Sequence, residues 1–146
     1  MLQHTSRQLW SFDGRMGRAA YVGYNILNTA MLVAGTLLAL ALGSTPWGSA
    51  NPVSDGTNTA AVLLVLVAAA IAYLWAMLAV VVKRLHDLDL AGINVIWILL
   101  IGVAAALLSQ EAPALSTVLN LCSLGLHLWL IFAPGTRGPN RFGAQQ

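Results

Sequence analysis

The chain has 146 residues, of which 58% are hydrophobic and 8% charged, with a formal net charge of +2. A soluble domain carries about 25% charged residues, so this composition excludes an ordinary water-solvated globule and points to lipid as the solvent. The length leaves room for one domain, and the small net charge gives no argument for nucleic acid as a partner.

Residues 1–20 carry Arg7, Arg15 and Arg18 but no apolar core followed by a small-residue cleavage site. They do not read as a secretory signal, so the apolar segments are expected to stay in the mature protein. Leu9, Trp10 and Phe12 stand among polar residues between Leu2 and Phe12, which predicts a short interfacial segment on the cytoplasmic leaflet.

A spanning helix needs about 20 mostly apolar residues. Four such segments are predicted within a membrane domain of residues 21–132: about 21–42, 60–82, 92–108 and 115–132. The second contains no charge at all, which a soluble bundle helix would need on its outer face. Residues 133–146 follow as a tail. The loop Gly43 to Thr59 holds Pro46, Trp47, Pro52 and Asp55 but no Lys or Arg. The loop Lys83 to Ala91 reads KRLHDLDLA, and Ser109 to Ala114 holds Glu111 and no basic residue.

Arg7, Arg15 and Arg18 precede the first span, Lys83 and Arg84 follow the second, and Arg137 and Arg141 follow the fourth. With four passes all seven fall on one side, which the positive-inside rule makes the cytoplasm. The expectation is an all-α, polytopic four-helix bundle with both termini cytoplasmic. Trp10, Trp47 and Trp129 lie near predicted boundaries, where indole rings favour the interface.

Lipid tails are as apolar as leucine, so close packing and polar contacts must hold the helices together. Ala68, Ala72 and Ala76 on the second span, and Gly102 and Ala106 on the third, form small-residue stripes for contact within the bundle or between copies. Asn25, Asn28, Thr29 and Thr36 fall near one face of the first helix. Ser116, Asn120, Ser123 and His127 do the same on the fourth. Asn25, Asn28, Asn94, Ser123 and His127 share the cytoplasmic half. They are expected either to hydrogen-bond between helices or to line a polar cavity with His127 at its floor.

Three charged motifs flank the spans on the cytoplasmic side: FDGRMGR (Phe12 to Arg18), KRLHDLD (Lys83 to Asp89) and PGTRGPNRFG (Pro134 to Gly143). Four helix ends in one plane make these segments neighbours, so Asp13, Asp87 and Asp89 lie among Arg15, Arg18, Lys83, Arg84, Arg137 and Arg141. Lys83 and Arg84 suit the negative end of the second helix. Asp87 and Asp89 precede the third helix, where Asp89 is expected to cap backbone N–H groups. Pro134 and Gly135 stop the fourth.

These motifs resemble those of the bacterial inner-membrane family called domain of unknown function 805. That family looks like Phe-x-Gly-Arg-x-x-Arg before the first span, here Phe12, Gly14, Arg15 and Arg18. After the second it has Arg-Leu-His-Asp, here Arg84, Leu85, His86 and Asp87. Its ending is similar to Pro134, Gly135, Thr136, Gly138, Asn140, Arg141, Phe142 and Gly143. The chain departs from the pattern after Asp87, where Asp89 and Leu90 precede Ala91, Gly92 and Ile93 instead of a small residue and Ser-Gly-Trp. The resemblance implies four helices in the inner membrane and no particular activity.

Four functional readings follow. The first is a structural or regulatory membrane component, its helix ends locked by a cytoplasmic salt-bridge belt, with a homo-oligomer or another membrane protein as partner. The second is binding of an anionic lipid headgroup or phosphorylated metabolite at Arg15, Arg18, Arg84, His86, Asp87, Asn140 and Arg141. The third is an enzyme with His86 as acid/base and Asp87 as its orienter. No phosphate loop, serine-nucleophile turn or zinc spacing supports it, and His4, His86 and His127 have no metal-ligand spacing. No cofactor is expected. The fourth is a transporter or channel, which lacks the usual coupling carboxylate because the spans contain no Asp, Glu, Lys or Arg.

Overall fold

A computed structural model of the chain describes residues 11–43 and 56–143. The predicted interfacial residues up to Trp10, the basic Arg7, and Trp47 with loop residues 44–55 lie outside the described residues, whereas Gly56 to Thr59, read as loop, are helical. Four α-helices run in chain order: α1 (Arg18–Gly43), α2 (Gly56–Asp87), α3 (Val95–Leu107) and α4 (Pro113–Phe132), with a 3-10 turn (Gly92–Asn94) leading into α3. Three of them are long and apolar enough to cross a membrane: α1, α2 and α4. The 16 residues from Gly92 to Leu107 form a shorter apolar helical segment, about 24 Å long at 1.5 Å per residue.

The boundaries have local causes. Pro113 opens α4, where its missing N–H is not needed. Ala133 ends it with an extended backbone, as the residue before Pro134 must. The second helix runs five residues past the predicted end at residue 82, so KRLHD is helical rather than loop. It closes in a Schellman motif: Leu90 N–H donates to Leu85 O at 2.9 Å and Asp89 N–H to His86 O at 3.1 Å. Asp89 takes the left-handed position usually given to glycine, with φ 59°. It therefore terminates α2 and does not cap the third helix, whose 3-10 lead has Ala91 at its N-cap without a side-chain bond.

The helices pack as two pairs, α1 along α2 and α3 against α4. A Cβ on Gly35 would fall 2.8 Å from Ala69 Cβ, so the α1 backbone lies against the Ala69 methyl of α2 there. Ala76 is buried as the stripe on α2 requires, but Ala68 is exposed. On α3 the buried small residue is Ala105; Gly102 and Ala106 face outward. The two pairs meet near the end that carries the charged motifs, in a core of Met16, Tyr21, Ala76, Val80, Val81, Leu85 and Leu130. Elsewhere the outer faces are apolar, with Leu64 73% and Leu107 75% exposed, a distribution that suits lipid and not water.

Candidate functional site

The charged motifs converge on one carboxylate. Asp87, in the last turn of α2, is 0% exposed, and both its oxygens are engaged. Oδ1 accepts from Arg15 Nε at 3.2 Å and Nη2 at 3.0 Å. Oδ2 accepts from Arg84 Nη1 at 2.6 Å. Arg84 is placed by helical spacing, three residues before Asp87. Arg15 arrives from the segment before α1, held by a backbone bond from Met16 N–H to Lys83 O at 3.1 Å.

Two guanidiniums on one carboxylate leave an excess positive charge in a buried place, which is costly unless other groups answer it. Backbone carbonyls do so. Arg15 Nη1 donates to Gly138 O at 2.6 Å and Gly143 O at 3.2 Å, and Nη2 to Thr136 O at 2.7 Å and Thr136 Oγ1 at 2.9 Å. Arg84 Nε donates to Leu130 O at 2.7 Å, Nη2 donates to Ala133 O, and Nη1 reaches Met16 O at 3.5 Å. Leu130 and Ala133 lie where α4 leaves carbonyls without helical donors, at the negative end of its dipole. Arg84 is thus the cap of a helix other than its own.

The tail folds over this cluster. Thr136 N–H donates to Asp87 O at 2.8 Å. Asn140 Nδ2 donates to His86 O at 2.8 Å and to Thr136 Oγ1 at 3.0 Å. Gly135 passes so close that a Cβ there would lie 2.0 Å from Asp87 Oδ2. Phe142 stacks on the His86 ring, centroids 3.8 Å apart and planes 6° apart.

Five of the seven predicted cluster residues therefore meet: Arg15, Arg84, His86, Asp87 and Asn140. Arg141 stands outside, in an exposed pair with Asp89 at 3.2 Å and over the Phe142 ring at 4.8 Å. Arg18 is exposed at the start of α1. The acid/base pair of His86 with Asp87 does not form, because His86 Nδ1–H donates to Gly14 O at 3.1 Å and Asp87 is taken by the arginines. Thr136, Gly138 and Gly143 carry no role in the sequence motifs and supply carbonyls here, while Gly135, read as a stop to α4, also leaves room for the Asp87 carboxylate. Lys83 is also buried.

The intramembrane polar set divides. Asn28 is buried against α2, where its amide donates to Tyr73 O at 3.2 Å while Oδ1 has no partner among the described residues. Ser116 Oγ crosses from α4 to Ala105 O at 2.7 Å. Asn25, Thr29, Thr36, Asn120 and His127 instead bond to the carbonyl four residues back on their own helix. Asn94 turns to Ala91 O. Asn25 and His127 line one cavity of about 260 Å³ with Tyr21, Val22, Ile26 and Ile131. Ser123 contributes its carbonyl to His127, and Asn28 and Asn94 are not among the residues lining that cavity. Among the described residues no three His, Cys, Asp or Glu side chains group as a metal site.

Long apolar helices tied at one end by a buried ion cluster define a helical membrane protein. The model of the family described as "Protein of unknown function (DUF805)" matches residues 9–144, and the chain belongs to that family. No curated protein and no solved structure matches the chain.

Proposed function

We propose that the chain is a structural or regulatory component of a bacterial inner membrane, with four spans and both termini in the cytoplasm. Gly92–Leu107 would be the third span in chain order, short of the roughly 30 Å hydrocarbon core and accommodated by local thinning or flanking residues. The seven basic residues then share one side. The observation that carries the reading is Asp87 held between Arg15 and Arg84, which joins the segment before α1, the end of α2 and the end of α4. A cluster whose donors are spent on the protein's own carbonyls favours a lock over a pocket for a headgroup or phosphorylated metabolite. The apolar outer faces are left for lipid and for other membrane proteins.

Photoreactive side chains placed at Leu64 and Leu107 in living cells test this. The reading expects a protein adduct of discrete mass from at least one position. Lipid adducts alone at both would refute a role through protein association.

A further inference from the structure

We propose that residues 134–143 form a latch that opens as a unit while the four helices stay packed, and that its opening uncovers Arg15 but not Arg84. This deepens the structural or regulatory reading by naming the part of the lock that can be released. It rests on the buried cluster and needs no protein partner. The segment reads PGTRGPNRFG. Apart from its two prolines, Phe142 is its one apolar side chain, and none of its residues belongs to the buried core around Tyr21, Leu85 and Leu130.

What holds the segment down is mostly polar. Thr136 donates to Asp87 O from its N–H at 2.8 Å and from its hydroxyl at 3.1 Å, and Asn140 Nδ2 donates to His86 O at 2.8 Å. Arg141 reaches Asp89 O at 2.7 Å and the Asp89 carboxylate at 3.2 Å, both exposed. Water can replace each of these partners, so each bond adds little net stability. The stack of Phe142 on His86 is the one ring contact across the seam. Few apolar contacts and exposed hydrogen bonds place a segment at the low end of local stability. Other bonds lie within the segment and need not break when it lifts. Asn140 and Gly143 exchange backbone bonds at 3.1 and 2.9 Å, and Phe142 N–H donates to Asn140 Oδ1 at 2.9 Å. The joint is at Pro134 and Gly135, where the proline cannot continue α4.

The two buried arginines depend on this segment differently. Four of the six hydrogen bonds of Arg15 end on it, at Thr136 O, Thr136 Oγ1, Gly138 O and Gly143 O, and the other two end on Asp87. Lifting it takes both acceptors from Nη1 and opens that nitrogen to water, while Nε stays on Asp87. Phe12 against Trp75 and Met16 in the core hold the backbone on either side of Arg15 in place. Arg84 donates instead to Leu130 O, Met16 O, Ala133 O and Asp87. None of these acceptors lies within residues 134–143, so Arg84 keeps its bonds until α4 itself moves.

The test combines hydrogen exchange and phenylglyoxal labelling of arginine, both mapped by mass spectrometry on the purified full chain in detergent. In the parent, the Thr136, Asn140 and Gly143 amides should exchange together and well ahead of Val80 to Leu85 in α2. Arg18, which is exposed, should label fast, Arg15 slowly and Arg84 not at all. Phe142→Ala should speed tail exchange and Arg15 labelling by the same factor, roughly 2- to 10-fold, the weight of one aromatic stack. Arg18 labelling and α2 exchange should not change. Asn140→Ala, which removes the bond to His86 O, should act in the same direction. Tail amides that exchange only as fast as α2, with Arg15 and Arg84 labelled together, would mean that the segment opens only with the bundle, and overturn the proposal. So would faster tail exchange in either variant with Arg15 labelling unchanged. Photocrosslinking at Leu64 and Leu107 does not bear on these readouts, so the search for a protein partner and the latch fail separately.

Discussion

Asp87→Asn is the sharpest test of the lock. The substitution keeps the shape of the side chain and removes its charge. The amide oxygen can still accept from Arg15, but the amide nitrogen would then face Arg84 Nη1, which sits 2.6 Å from Oδ2 in the parent. A donor would meet a donor, and two buried guanidiniums would lose the carboxylate they share. Removing one partner of a buried ion pair costs about 3–5 kcal/mol. For a chain near this size each kcal/mol moves the melting temperature by roughly 2–4 °C, so a fall of about 6–20 °C is expected. The assay is thermal unfolding in detergent beside Asp89→Asn, which removes the exposed pair to Arg141 and should cost under about 1 kcal/mol. If the two variants melt together, the buried cluster contributes no more than a surface pair and the lock is wrong.

Three further outcomes follow from the same geometry. Gly135→Ala puts a Cβ against the Asp87 carboxylate, and should lower stability by about 1–3 kcal/mol through overpacking, measured by the same melt. Asp89→Gly should be neutral or slightly stabilising, because φ 59° suits glycine, whereas Asp89→Val should destabilise; denaturant midpoints of the two decide. Phe142→Ala removes the ring stacked on His86, worth about 0.5–1.5 kcal/mol. Its effect should appear as faster proteolysis of the tail near Gly138 with little change in the global melt.

The apolar segments were legible because lipid imposes their length and composition on the sequence directly. Which arginines are buried was not. Arg15 and Arg18 are three residues apart in one motif, yet Arg15 is enclosed and Arg18 is exposed. The difference comes from the tail, which reaches Arg15 through carbonyls of Thr136, Gly138 and Gly143, and a carbonyl is common to every residue. The extra turn and more of α2 was missed for a related reason. Lys83 and Arg84 read as the point where a chain leaves the membrane, but both are buried and the helix continues to Asp87. Asn25 and Asn28 differ by about 60° around α1, too little for spacing alone to tell which of them bonds across to α2.

This placement answers a problem peculiar to membrane helices. In water a hydrophobic core would hold four helices along their length, but in lipid apolar faces gain little by meeting one another. Specific association must then come from close backbone packing and from polar groups that lipid cannot satisfy. The chain concentrates both. Gly35 meets Ala69 within one pair, Ser116 reaches Ala105 within the other, and the pairs are tied to each other by Arg84 on the free carbonyls of α4. Tyr21, Val80, Leu85 and Leu130 belong to the buried core at that end. Weakening Arg84 should therefore separate α3 and α4 from α1 and α2 before either pair loses its helices. Disulfide trapping between the two pairs in an Arg84→Lys variant would show this, since a lysine keeps the charge but cannot span Leu130, Ala133 and Asp87 at once.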